Sequence, residues 1–465
     1  MSGSARTIVV SDLHLGSGGL YDIFAGGKAL PTFIRQHAAT GTTIILNGDS
    51  VDFLMNEDPL ELDEARAVSQ AERTFSATET QGVLHALGDV LAAGGDVVVR
   101  LGNHDIELAL SAVQAAFRMG LGQPQDIAAR LRFERGDKPG MIEVGGARIL
   151  IGHGEQSDPW NKVDYPHLPG PGAPQSADAG SFRYAAGSRL VKTIMNPLKR
   201  VYGLRLIDLI KPDFQGGVLT ALAVSPTAVK EVWKGSTLSL LWQLKTSQDG
   251  PSTFADEDES FGLGPAIAKA GLSDEEQASM AALFADVDDG PASFDADPSV
   301  TQSAQLKLAR AGLRAYAGAQ KRLAGTAGDR FYQFDPDEDE WGEARRLAQK
   351  FGAQAVIFGH THAARFRQDA ELAYLNTGTW IRLLRLPAPD ADDGEWADFL
   401  TLARKNPQLD PNKGPMVPIF TRFTAAVIEP AAQGGAQLSL VEWTPQGTLV
   451  THAKGVVPAA QGAGR

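Results

Sequence analysis

Short apolar runs closed by polar residues punctuate the first third of the chain and return near its end. TIVVS before Asp12, TTIILN before Gly48, DVVVRL before Gly102, ARILIG before His153 and AQAVIF before Gly359 are β-branched and bounded by turn residues. Strands buried on both faces of a sheet have this pattern. Between the first three runs, Lys28 to His37 and Ala65 to Ala93 read as helices, giving a β-α-β rhythm and an α/β fold. Ligands in such sheets bind beyond the carboxyl ends of the strands. Every polar motif here stands at such an end.

The rhythm stops from about Pro166 to Phe334. Pro169, Pro171 and Pro174 mark a loop, and helix-like stretches follow, including Ser273 to Ala285 with a capping box of Ser273 and Glu276. TSQDGPSTFADEDES (246–260) and DVDDGPASFDADPS (286–299) read as acidic loops, and DPDEDEWGE (335–343) as a solvated acidic face. RFTAAVIE, AQLSLVEW and TLVTHAK then suggest further strands. The expected division is a core in two parts, 1–165 and 335–455, a mainly helical insertion or cap over 166–334, and a disordered small-residue tail over 456–465.

Composition narrows the chemistry. A formal charge of -13 disfavours a nucleic-acid-gripping surface, and the absence of cysteine excludes disulfides, thiolate metal sites and cysteine nucleophiles. The start MSGSARTIVV has no apolar segment of signal-peptide length, and no uncharged apolar stretch is long enough to span a bilayer, so a cytoplasmic location is expected.

Of the nine histidines, His14, His104, His153, His360 and His362 fall in strand-end motifs, beside Asp12, Asp49, Asp52, Asn103 and Asp105. His37, His85, His167 and His452 read as structural or solvated. Any one motif alone is a cap or a loop residue, but five strand ends delivering oxygen and nitrogen to one sheet edge point to a metal centre. Imidazole and carboxylate without thiolate suit Mn²⁺, Fe or Zn²⁺, and there are enough ligands for two ions sharing one carboxylate.

The ordered set D-x-H (Asp12, His14), G-D-x-x-D (Asp49, Asp52), G-N-H-D (Asn103, His104, Asp105), G-H (His153) and G-H-x-H (His360, His362) resembles the calcineurin-like metallophosphoesterase superfamily. The resemblance covers about residues 6–160 and 350–382 and includes the ending YLNTGTW. It implies a β-sandwich flanked by helices and a centre of two divalent ions, most simply Mn²⁺. By that likeness Asp12, His14 and His362 hold one ion, Asn103, His153 and His360 the other, and Asp49 bridges them. It further implies a hydroxide attacking phosphorus, His104 as general acid and Asp52 as the carboxylate orienting it. Asp105 would support the loop without touching metal.

Phe182 to Phe214 carries Arg183, Arg189, Lys192, Lys199, Arg200, Arg205 and Lys211 against Asp208 and Asp213. Leu190, Ile194 and Leu198, then Tyr202, Leu206 and Ile210, recur at helical spacing, with Pro197 as a break or kink. One reading is a packed helix with a solvated basic face. The other is a cap offering cations, Arg183, Arg189 and Lys192 among them, to a phosphorylated or lipid-linked substrate, with peripheral membrane contact through 182–214. That second reading is similar to the UDP-2,3-diacylglucosamine pyrophosphatase branch, which differs in having Arg at the position of His104 and a smaller insertion. A soluble nucleotide or small-molecule phosphodiesterase or phosphatase is the alternative. A catalytically inactive scaffold ranks below both, because no ligand position carries an incompetent residue.

Overall fold

The computed structural model describes residues 6–158, 160–175, 177–209, 224, 333–384, 386–387 and 391–460. In chain order these form β1 (Arg6–Val10), α1 (Ala29–Gln36), β2 (Thr42–Asn47), α2 (Glu64–Phe75), α3 (Thr78–Ala92), β3 (Asp96–Arg100), α4 (Ser111–Gly120), α5 (Gln125–Ala128), β4 (Arg132–Glu134), β5 (Gly140–Val144), β6 (Ala147–Ile151), α6 (Ala186–Leu190), α7 (Asn196–Tyr202), α8 (Glu338–Phe351), β7 (Ala355–Phe358), β8 (Ala364–Gln368), β9 (Ala373–Thr377), β10 (Leu383–Leu384), α9 (Asp393–Lys405), β11 (Ile419–Phe420), β12 (Phe423–Pro430), β13 (Ala436–Trp443) and β14 (Leu449–Val457). The chain divides into two compact units: Met1–Arg189 with Phe331–Arg382 and Thr421–Arg465, and Leu190–Arg330 with Leu383–Phe420.

The first unit is α/β, with two mixed sheets flanked by helices. One sheet runs β14-β13-β12-β1-β2-β3-β4, the other β5-β6-β7-β9-β8. β1 to β4 are mutually parallel and β12 closes antiparallel on β1, pairing Ile8 with Val427. In the second sheet β6, β7 and β9 are parallel.

Period-two alternation explains the layers. Val9, Ile45 and Val98 point into a core shared with Ile149, Ile357 and Leu375 of the other sheet. Their neighbours Ile8, Val10, Ile44 and Val97 point the other way, against Leu30, Phe33, Leu84 and Leu87 of α1 and α3. Leu150, Val356 and Tyr374 meet Trp341, Ala344 and Leu347 of α8. Strands apolar on both faces are therefore covered on both faces, which leaves only their ends for polar chemistry.

Three local differences from the sequence pattern have physical causes. Ala65 to Ala93 is two helices, because Ala77 takes an extended conformation (φ -68°, ψ 135°) before α3. DPDEDEWGE opens α8 with a capping box, the Asp337 carboxylate accepting from Glu340 N and Glu340 reaching back to the Asp337 N–H. Its acidic run thus lies where the helix dipole favours negative charge. Val456 and Val457, expected in the tail, pair in β14 with Gln437 and Ala436.

In the second unit a π-helical turn, Val191–Met195, precedes α7, whose first turn carries Pro197. Leu190, Ile194, Leu198 and Leu206 are buried, so the apolar positions at helical spacing face protein. Among the described residues no helix is long and apolar enough to cross a membrane. Most of the expected insertion lies outside the described residues, including Ser273 to Ala285 and both acidic loops.

Candidate metal centre

The loops after β1, β2, β3, β6, β7 and β9 converge at the carboxyl edges of the two sheets. The described non-glycine residues with positive φ are Asp12, His14, Asp49, His360, His362 and Leu409, at 49° to 69°. Five of these six stand in the strand-end motifs. A left-handed backbone at such residues costs about 1–3 kcal/mol each and persists only where the surroundings over-determine it. The glycines between them keep the approach close. A Cβ on Gly102 would lie 2.3 Å from Asp49 Oδ1, and one on Gly359 would lie 2.7 Å from Asp12 Oδ2.

Three overlapping groups of buried or nearly buried side chains offer ligand atoms within 4.8 Å of one another: Asp12, His14 and His362; His14, Asp49 and His104; Asp49, His153 and His360. These Asp and His groups could hold a metal ion. Asp49 lies between them, its Oδ2 3.9 Å from His14 Nε2 and 3.3 Å from His153 Nε2.

Each imidazole is anchored through one nitrogen. His14 Nδ1 lies 2.9 Å and His104 Nδ1 3.3 Å from the same Asp52 oxygen. His153 Nδ1 donates to the Asn47 carbonyl at 2.8 Å, His362 Nδ1 lies 3.2 Å from Thr379 Oγ1, and His360 Nε2 lies 3.0 Å from Asp158 Oδ2. Such outer bonds fix tautomer and ring orientation in metal sites. His14 Nε2, His153 Nε2 and Asn103 Oδ1 are buried without any hydrogen-bond partner. Buried polar atoms left unsatisfied are costly, so these three, two of them beside the Asp49 carboxylate, fit a cation.

Asp105 takes a supporting place. Its two oxygens accept the backbone N–H groups of Gly102 (2.6 Å) and Ser50 (2.7 Å), tying the β3 loop to the β2 loop. Burial, then the charge on Asp49, push its carboxyl up to about 7. Asp49 itself stays well below the usual carboxylate range, because His153 and His104 outweigh the opposing effect of burial.

A proton on His153 can supply part of the positive charge that a bound cation would bring. Burial would drive that proton off, but the Asp49 carboxylate holds the pKa well above the ordinary 6.5. Stabilisation from this pair is complete below the unfolded-state value near 6.5 and is lost as pH rises through the higher folded value. A cation at Nε2 competes with the same proton. The rise in melting temperature on adding Mn²⁺ is therefore expected to grow from about pH 6 to about pH 8. A rise that shrinks over that interval would contradict the arrangement.

The Asp and His residues of the motifs are thus brought together. Of the cap candidates, Arg183 and Arg189 are exposed and Lys192 is half-buried. His85 and His167 are exposed, His37 is half-buried, and His452 pairs with Glu442 at 2.6 Å. Motif spacing did not expose Asp158 on His360, nor the part played by the end of β9. There Thr379 Oγ1 donates to the Asp12 carbonyl at 2.8 Å and Asn376 Nδ2 to that of Gly359 at 2.7 Å. The only signal for the latter was the polar cluster in YLNTGTW. No family model and no curated protein matches the chain.

Proposed function

We propose that the chain is a two-metal hydrolase of phosphoric esters or pyrophosphates, of the calcineurin-like metallophosphoesterase kind. The observation that carries this reading is Asp49, shared between the candidate sets around His14 and around His153 and His360. Asp12, His14 and His362 would hold one divalent ion and Asn103, His153 and His360 the other, with Asp49 reaching both. The chemistry such a pair supplies when bound is polarisation of a phosphoryl group and a hydroxide nucleophile near neutral pH.

The protein's own groups do the rest. Asp52 holds His14 and His104 through one carboxylate oxygen, so the His104 ring presents Nε2 as the atom that carries a proton to the leaving oxygen. At 9% exposure His104 is less enclosed than Asp12 (0%) or Asp49 (1%), as a group that meets substrate must be. The tight loops exclude bulk water, which strengthens every charge interaction inside.

For the substrate, a soluble phosphodiester or pyrophosphate fits better than an acylated one. Arg183 and Arg189 are exposed cations of the first unit, suited to phosphate charge, while Leu190, Ile194, Leu198 and Leu206 of the second unit are buried and so not offered to acyl chains. The test is metal removal. Protein stripped with a chelator is expected to lose hydrolysis of a chromogenic phosphodiester and to regain it on adding Mn²⁺. Turnover indifferent to the chelator, or none in metal-loaded protein, would overturn the assignment.

A further inference from the structure

His360 differs from its neighbours in what holds it. The His14 and His153 side chains are 0% exposed, whereas that of His360 is 12% exposed, close to His104 at 11%, and so less fixed by packing. Its orientation must come from elsewhere. Its ring bonds the Asp158 carboxylate, whose Oδ2 lies 3.0 Å from His360 Nε2.

Asp158 is itself braced. Its Oδ1 accepts from Trp160 N at 2.9 Å and its Oδ2 from Asn161 Nδ2 at 2.7 Å. Asn161 in turn lies against Gly187, where a Cβ would come within 2.1 Å of Asn161 Oδ1, and Gly187 N donates to the Trp160 carbonyl at 2.7 Å. On the other side Ser157 Oγ donates to Glu343 of α8 at 2.9 Å, and Arg346 holds Glu343 at 2.6 Å. Gly154, at φ 122°, passes the loop beneath the His360 Cβ. A free surface aspartate needs none of this bracing.

Resting on the two-metal reading, we infer that Asp158 is a positioning residue for His360: it accepts the Nε2 hydrogen, and so leaves Nδ1 bare for the ion shared with Asp49 and His153. A neutral imidazole carries one hydrogen, so fixing it on one nitrogen frees the other as a ligand. Removing a partner of this kind weakens metal affinity by about 10- to 100-fold. The effect falls on one ion. In the set of Asp12, His14 and His362, the two rings take their outer bonds from Asp52 and Thr379, and Asp12 accepts from Ser11 Oγ and from the His360 backbone N–H, a main-chain contact that does not use the His360 ring or Asp158.

The experiment is calorimetric titration of Mn²⁺ into the stripped, full-length protein, alongside ¹⁵N NMR of the histidine rings without metal. Wild type is expected to bind two ions and to show His360 with its hydrogen on Nε2. Asp158→Ala should weaken one ion about 10- to 100-fold, leave the other within about threefold, and give mixed tautomers at His360. Asp158→Asn, whose carbonyl can still accept from Nε2, should recover most of the loss, which a merely structural defect would not allow. Equal weakening of both ions, unchanged affinities, or His360 protonated on Nδ1 in wild type would overturn the inference while leaving the two-metal reading intact. Wild type that binds no Mn²⁺ would instead remove that reading, and the ring spectra would then decide the Asp158 bond by themselves.

Discussion

Replacing Asp49 by Ala is expected to abolish binding of both ions under conditions where wild type is saturated. In the proposed centre the other ligands would serve one ion each, whereas Asp49 lies 3.3 Å from His153 Nε2 and 3.9 Å from His14 Nε2 and, among the described residues, is the carboxylate common to two of the candidate groups. An affinity loss of at least about 10³-fold, equivalent to about 4 kcal/mol, follows for each ion. Turnover falls with it. The variant also loses the acceptor for His104 N, held at 2.8 Å by Asp49 Oδ1, so some loop order goes as well. Asp49→Asn keeps that acceptor and separates the two effects: it should melt close to wild type without metal, yet bind Mn²⁺ far more weakly. Elemental analysis after gel filtration is the check, and full occupancy in either variant would exclude Asp49 as the shared ligand.

His104→Ala gives the opposite combination. Both ions should remain, because Asp12, His14, Asp49, Asn103, His153, His360 and His362 are untouched, while turnover falls on the order of 10² to 10⁴-fold for a missing proton donor. The size of the loss should depend on the leaving group. A nitrophenolate departs without needing a proton, so its hydrolysis should suffer least, and an alkyl phosphodiester most. An equal loss for both would make His104 a group that positions substrate rather than one that delivers a proton.

The strand ends and the candidate ligand residues at them are legible in the sequence because they are local. A buried strand must be apolar, its end must turn, and the chemistry is compressed into two to four residues at the turn, as in Asp12-Leu13-His14 or Gly359-His360-Thr361-His362. What was not legible is tertiary. Asp158 lies five residues after His153 and 202 before the ring it touches, and no spacing rule connects them. The break between α2 and α3 has neither Pro nor Gly to announce it. DPDEDEWGE carries the same charges whether it is a solvated face or the first turn of α8, and Trp341, buried against Leu150 and Tyr374, decides the matter. Lys199 is one of the cations of 182–214, for which the spacing allows either a solvated face or a cap, yet it is fully buried.

Anomalous scattering from a crystal grown with Mn²⁺ tests the central claim most directly. Two peaks are predicted, about 3.5–4 Å apart, one among Asp12, His14 and His362, the other among Asn103, His153 and His360, with the Asp49 carboxylate between them. A single peak lacking Asp49, or manganese bound only elsewhere on the protein, would contradict the account.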